Sequence, residues 1–297
     1  MSLPSLGLDH ALVCVRDLPK ARETYMALGF LSRGLSQHPW GTSTMVLIFS
    51  GQLFEVVSIG DPALLDGHEA NGFRFGRHVE AYLAEREGVC LTALNSQDAV
   101  ADAAGLRARG IAVTGTVHFG RDVTRQDGAP DRTKTQLEIL ANADHPRLSL
   151  FACQQFRRDL IEYPDWMDHP NGVTGIAGLT IVAGEAAADL AGWLARVHDQ
   201  VPAPQGDVLK IATARGSWRV TDAAGFEALY GRAADWKGED PSVMAIDLQT
   251  RSPQEVAQRA GVLGLAHHWQ DGFLVLPEPT RLGGVILRFG DFEGAGS

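Results

Sequence analysis

The sequence predicts an α+β protein in which four βαβββ units pair into two curled mixed sheets. Two observations carry that prediction. Residues 7–62 run as an apolar strand, an amphipathic helix and three further strands, and the same order then recurs along the chain. The composition, 45% hydrophobic and 21% charged over 297 residues, suits about two domains that each bury a real core. Paired units give residues 1–158 as an N-terminal domain, 159–169 as a linker and 170–297 as a C-terminal domain. The concave face of each sheet is a cleft for a small molecule, with helices outside.

In unit one, residues 7–15 alternate well enough to be oriented. As a strand they place His10 with Leu12 and Cys14 on one face, and Ala11, Val13 and Val15 on the other. Asp17 is placed to cap the next helix, Pro19 suits its first turn and Gly29 ends it. Leu18, Ala21, Tyr25 and Leu28 give that helix one apolar stripe. The turn His38-Pro39-Trp40-Gly41-Thr42 leads into a strand at 44–49, and 53–59 forms the next. After a loop at 66–72, residues 79–86 read as a short helix. Unit two has a strand at 89–95, a helix at 98–109 stopped by Gly110, and strands within 111–119, 134–140 and 147–155. Residues 157–170 are irregular.

Unit three opens with a strand at 175–183 and a helix at 187–197. Strands at 208–213 and 217–221 leave it one strand short, and 222–240 reads as an insertion. Unit four has a strand at 243–248, a helix from the capping box Ser252-Pro253-Gln254-Glu255 to Gly264, and strands at 265–269, 273–276 and 284–289. Residues 293–297 read as a frayed tail.

The net charge of −10 and pI near 5.4 argue against nucleic acid or an anionic membrane surface as partner. No apolar run approaches the roughly 18–20 residues a membrane span needs. Three cysteines, odd in number and far apart, fit reduced thiols and a cytoplasmic address.

Residues that carry chemistry gather in unit one. His10 and Glu55 stand on strands that are otherwise apolar. An imidazole nitrogen and a carboxylate oxygen together hold a divalent cation with positions left for substrate oxygens. The plainer alternative is a buried, hydrogen-bonded His–Glu pair. His38 is either a ligand or a loop histidine bonded to backbone, and Trp40 either a pocket wall or ordinary packing. Gln154 and Gln155 end the last strand of unit two, where one of two neighbours must face the cleft. Arg74 and Arg77 could hold a carboxylate or phosphate, although surface ion pairs are the commoner fate. His169 reads as an interdomain cap, His267 and His268 as structural, and Cys14 and Cys153 as core thiols.

Several of these segments are familiar. Leu8-Asp9-His10, His38-Pro39-Trp40-Gly41-Thr42, Phe54-Glu55-Val56-Val57, Phe73-Arg74-Phe75-Gly76, Cys153-Gln154-Gln155 and residues 169–176 together resemble the vicinal oxygen chelate superfamily. More narrowly, the chain is similar to its two-domain glyoxalase-like proteins. The resemblance implies a divalent metal ion whose ligands sit on the first and last strands of paired units. His10 and Glu55 match those positions, and His38, Gln154 or Gln155 would complete the set.

The place of His10 falls at Cys90 or Leu91 in unit two, near Gly178 in unit three and near Met244 in unit four. That of Glu55 falls at Leu150 or Phe151, near Trp218 and near Leu287, so the second domain looks catalytically empty. The implied function is a metal-dependent lyase, isomerase or dioxygenase acting on a small oxygenated or thiol-conjugated compound. The ligands would be His10, Glu55 and His38, with Glu55 and His38 also catalytic, and Trp40, Arg74, Gln154 and Gln155 binding substrate. The alternative is a non-catalytic binding or resistance protein of the bleomycin-binding type. The second domain would serve for dimerisation or as a lid, with a homodimer the assembly to look for.

Overall fold

The computed structural model describes residues 5–238 and 240–292. The first half runs β1 (Gly7–Cys14), α1 (Leu18–Ala27), β2 (Leu35–Gln37), β3 (Thr42–Phe49), β4 (Gln52–Ile59), α2 (Phe75–Glu85), β5 (Gly88–Asn95), α3 (Ala99–Ala108), β6 (Gly115–Phe119), a hairpin β7 (Asp122–Thr124) and β8 (Pro130–Arg132), β9 (Thr135–Leu140) and β10 (Leu150–Gln155). One turn of helix, α4 (Pro164–Met167), interrupts the connecting segment. The second half runs β11 (Val173–Val182), α5 (Ala187–His198), β12 (Ala203–Gln205), β13 (Val208–Ala212), β14 (Ser217–Thr221), α6 (Ala223–Tyr230), β15 (Ser242–Thr250), α7 (Pro253–Val262), β16 (His268–Gln270), β17 (Phe273–Leu276) and β18 (Ile286–Gly290). The expected frayed tail, 293–297, lies outside the described residues.

Each half forms one eight-stranded mixed sheet. The orders are β2-β3-β4-β1-β5-β10-β9-β6 and β12-β13-β14-β11-β15-β18-β17-β16. In each, two βαβββ units meet at an antiparallel central pair, β1 with β5 and β11 with β15. The last strand of every unit lies parallel beside its first. This is the α+β architecture of paired units, and unit three is complete. Its missing strand is β12, three exposed residues including Pro204, too short and polar to show a period.

Local signals set most helix ends. The Asp17 carboxylate accepts from Lys20 N at 2.9 Å, and Gly29 takes φ +88°, which closes α1 without Cβ strain. The capping box at Ser252 does not form. Glu255 turns instead to Arg259 Nε at 2.9 Å, leaving Pro253 in the first turn as the start signal.

Not every helix lies outside. α2 and α6 link the two units of each half and lie against the concave faces. In α2, Phe75, Val79, Tyr82 and Leu83 recur at helical spacing and pack on Leu12, Cys14, Val57, Leu91 and Phe151. In α6, Phe226 and Tyr230 pack on Val182, Ala245, Val275 and Ile286. The supposed insertion is thus a plug. No described helix is long and apolar enough to cross a membrane.

The two sheets share one continuous apolar core on their other faces. Tyr25 of α1 donates to Leu282 O at 3.1 Å, and Gln52 bonds both Leu8 O and the backbone of Ile176. His169 accepts from Leu31 N at 2.9 Å and reaches Ile48 O at 3.0 Å, so it pins the connecting segment to backbone groups of the first half.

His198 closes the opposite corner. Trp218 Nε1 donates to its Nε2 at 2.9 Å, so the ring proton sits on Nδ1, which donates to Leu6 O at 2.8 Å. Burial pulls this imidazole down to a pKa of about 4, outweighing the pull of the Ser5 and Leu6 carbonyls the other way. The unfolded chain takes up that proton below about pH 6.5, whereas the folded one resists it to about pH 4. Stability therefore falls as pH falls through this window. Urea unfolding of His198→Asn should show a slope shallower by about 1.4 kcal/mol per pH unit there. An unchanged slope would mean that His198 is protonated in the fold.

Candidate functional site

His10 reaches the cleft of the first sheet through a defect in its strand. β1 pairs with β5 through Leu8 and Leu94, then through His10 and Ala93, leaving Asp9 as the extra residue of a β-bulge. The bulge puts Leu8 and Ala11 together in the outer core. It also brings the buried Asp9 Oδ1 to 3.5 Å from His10 Nδ1. Neither atom has another partner. The other Asp9 oxygen accepts from Arg158 at 2.8 Å.

On the cleft side, His10 Nε2 lies 3.3 Å from Glu55 Oε2, and His38 Nε2 lies 3.4 Å from Glu55 Oε1. Each group is held from behind. Thr44 donates to Glu55 Oε1 at 2.7 Å, and Thr42 Oγ1 is 3.0 Å from His38 Nδ1. Glu55 and Thr44 come from adjacent antiparallel strands, with Glu55 opposite Val46. The positive φ of Gly41 turns the chain so that His38 folds back over β3.

Burial disfavours charge on all three groups, and the pairings overcome it for two of them. Burial lowers His10, but Asp9 and Glu55 together raise it to about 9. Burial raises Glu55, but His10, His38 and Thr44 bring it down to about 2. For His38 burial wins and the value falls to about 4, despite Glu55. At neutral pH the triad is one imidazolium, one carboxylate and one neutral imidazole.

The surrounding cavity holds about 40 Å³, room for an ion or a water rather than for a substrate. Its walls are aromatic. His38 stacks on Trp40 with ring centres 4.7 Å apart, Trp40 stacks on Phe75 at 4.7 Å, and Phe151 meets His10 edge-on at 5.8 Å. Phe119, Gln155 and Arg121 line it too, with aliphatic side chains such as Leu12, Val57 and Leu137. Arg121 donates to Ser36 Oγ at 2.9 Å and forms no ion pair among the described residues.

The structure thus brings together His10, His38, Trp40, Glu55 and Gln155. It places two candidates elsewhere. Gln154 points to the opposite face, where it accepts from Ala99 N at 3.0 Å and donates to Gln97 O, holding the start of α3. Strand alternation allowed only one of the neighbouring amides inward. Arg74 lies at the surface, paired with Glu69 and bonded to Asp66 O. Sequence reading missed Asp9, whose bulge has no local signature, and Arg121, which follows a strand whose pairing is long-range. Cys14 and Cys153 are core thiols, raised by burial.

Register fixes the matching positions in the other units. Leu12 is level with Glu55, Ala93 with Phe151, Thr180 with Arg219 and Asp247 with Arg288. Glu55 therefore corresponds to Phe151, Arg219 and Arg288, and His10 to Leu91, Gly178 and Ala245. A second bulge, between Ile176 and Gly178, repeats the one at Asp9. The sequence alignment to Trp218, Leu287 and Met244 was one residue off, and in a strand one residue changes the face.

Among the described residues, no group of three or more His, Cys, Asp and Glu side chains is arranged as it stands to hold a metal ion. Both imidazoles close on the carboxylate instead. The donors nevertheless suit a divalent ion. Bonds of about 2.0–2.2 Å separate neighbouring ligands by about 3–3.5 Å, the spacing found across Glu55. Asp9, Thr42 and Thr44 stand behind the three side chains as hydrogen-bonding groups, the kind of support that orients imidazoles and carboxylates where they bind metals.

Paired βαβββ units around an imidazole–carboxylate site define a vicinal oxygen chelate fold in a two-domain arrangement. The chain belongs to the glyoxalase-like domain family, whose model matches residues 8–198. No curated protein matches it by sequence. Solved structures share the fold at low identity. A hypothetical protein from Staphylococcus aureus is 14% identical with a TM-score of 0.67, over 96% of this chain and 98% of that one. A variant of 4-hydroxymandelate synthase from Streptomyces coelicolor is 10% identical with a TM-score of 0.58, over 96% and 92%. The Mn(II)-bound glyoxalase from Novosphingobium aromaticivorans is 11% identical with a TM-score of 0.56, over 98% and 86%.

Proposed function

We propose that this protein is a divalent-metal enzyme acting on a small oxygenated anion in its N-terminal cleft. One observation carries the reading: two buried imidazoles and a carboxylate meet at 3.3 and 3.4 Å in an aromatic cavity. His10 and His38 would bind through Nε2 and Glu55 through its carboxylate. When bound, the ion supplies Lewis-acid polarisation of substrate oxygens. Two imidazoles with one carboxylate is the donor set of non-haem iron(II) oxygenases, which favours a dioxygenase over a lyase or isomerase.

The chain's own groups do the rest. Asp9, Thr42 and Thr44 fix the orientation of the three ligands. Arg121, free of carboxylate partners among the described residues, faces the cavity with a charge for an anionic substrate group. Trp40, Phe75 and Phe119 exclude water, and the Gln155 amide offers a hydrogen bond. The 40 Å³ cavity requires these walls or α2 to move before substrate enters.

Stripped protein loaded anaerobically with Fe(II), Mn(II), Ni(II) or Zn(II) and analysed for bound metal tests the proposal. One ion per chain is expected, retained in Arg74→Ala and lost in His10→Ala. Protein that stays ion-free with all four metals while binding aromatic ligands would overturn it in favour of a non-catalytic binding protein.

A further inference from the structure

The second domain repeats the first sheet but reverses the polarity of its site positions. Arg219 stands where Glu55 stands, and Gly178 where His10 stands. The glycine makes room for the guanidinium, since a Cβ there would lie 2.8 Å from Arg219 Nη1. Behind it, the fully buried Asp247 carboxylate pairs with both Arg219 and Arg288, so one acid is shared by two cations.

Lys210 adds a third charge. It sits directly opposite Arg219 on the neighbouring antiparallel strand, an arrangement in which like charges repel. No carboxylate pairs with Lys210 among the described residues. Arg215, on the turn before β14, adds a fourth, and its guanidinium donates to the Ser50 carbonyl at 2.5 Å.

Lys210, Arg215 and Arg219 open onto one cleft of about 540 Å³, the size of a small-molecule site. Its described lining contains no acid. Ser217, Gln249 and Gln52 contribute polar groups, and Phe292 forms one wall. Asp291, at the rim, is bonded to Gln249 Nε2 at 2.9 Å. In a chain of net charge −10, the concentration of cations here is a local inversion.

We propose that this cleft is a binding site for a small anion that presents phosphate or carboxylate oxygens to Lys210, Arg215 and Arg219. The anion relieves the repulsion between Lys210 and Arg219, and it accepts charge-assisted hydrogen bonds from both strands and the turn of one hairpin. The site is separate from the N-terminal centre and does not depend on a metal.

Calorimetric titration of the full, metal-stripped chain with inorganic phosphate and with citrate, at constant ionic strength in chloride, tests it. One saturable site per chain is expected for at least one probe, phosphate alone marking a phosphate ligand and citrate alone a carboxylate. Lys210→Glu and Arg215→Gln, both at accessible positions, should each weaken binding at least about tenfold, while Lys210→Arg keeps most of it. Glu55→Gln should leave it unchanged. Failure of both probes to saturate by about 10 mM, or binding unaffected by Lys210→Glu, would overturn the proposal.

Discussion

Glu55→Gln should lower the affinity of the N-terminal site for a divalent ion by more than about 100-fold, measured by competition with a chromophoric chelator. The carboxylate is the one anionic donor between two imidazoles, and an amide there turns a donor N–H toward one of them. Replacing a group that only orients a ligand loses about 10–100-fold, the effect expected for Asp9→Asn beside His10. The variant should also lose ligand-linked stabilisation. An ion at 100 times its dissociation constant stabilises the native state by about 2.7 kcal/mol, and that thermal shift should disappear. Equal affinity in wild type and Glu55→Gln would leave a His–Glu pair and no metal centre.

Asp247→Asn should destabilise the protein by about 3–5 kcal/mol in urea unfolding. The carboxylate is fully buried. Burial alone would raise its pKa, but Arg219 and Arg288 overcome this and hold it below the usual range. Arg288 is itself buried, with Nε 2.9 Å from Asp247 Oδ1, and stacks on Tyr230 and Phe273 at 4.6 and 5.0 Å. Removing the acid leaves two guanidiniums without a counter-charge, that of Arg288 almost out of water beneath α6. The Tyr230 hydroxyl, which donates to Asp247 Oδ1 at 3.1 Å, is left to share the one remaining oxygen with the guanidiniums. A loss under about 1 kcal/mol would mean that water reaches these arginines and that they solvate independently.

Much of the architecture was legible because it repeats. The spacing of Leu18, Ala21, Tyr25 and Leu28, the cap at Asp17 and the stop at Gly29 are local rules, and the structure keeps them. His10 and Glu55 stood out because ionisable side chains in apolar strands need a partner, and each is the other's partner. His38 was ambiguous, since a histidine in a turn takes its role from whatever folds beneath it. Arg74 and Gln154 were plausible by composition, but Glu69 captured one and the start of α3 the other.

The sequence by itself determined the four units, their pairing and the two residues at the heart of the first cleft. These follow from hydrophobic period and from the energy of burying charge, both written along the chain. Only the tertiary structure decided which residues of the second domain stand in the matching places, and that they are arginines. Facing in a strand has a period of two, so a bulge or a one-residue slip exchanges Trp218 for Arg219. That register is set by hydrogen bonds between strands distant in sequence, which no local pattern encodes.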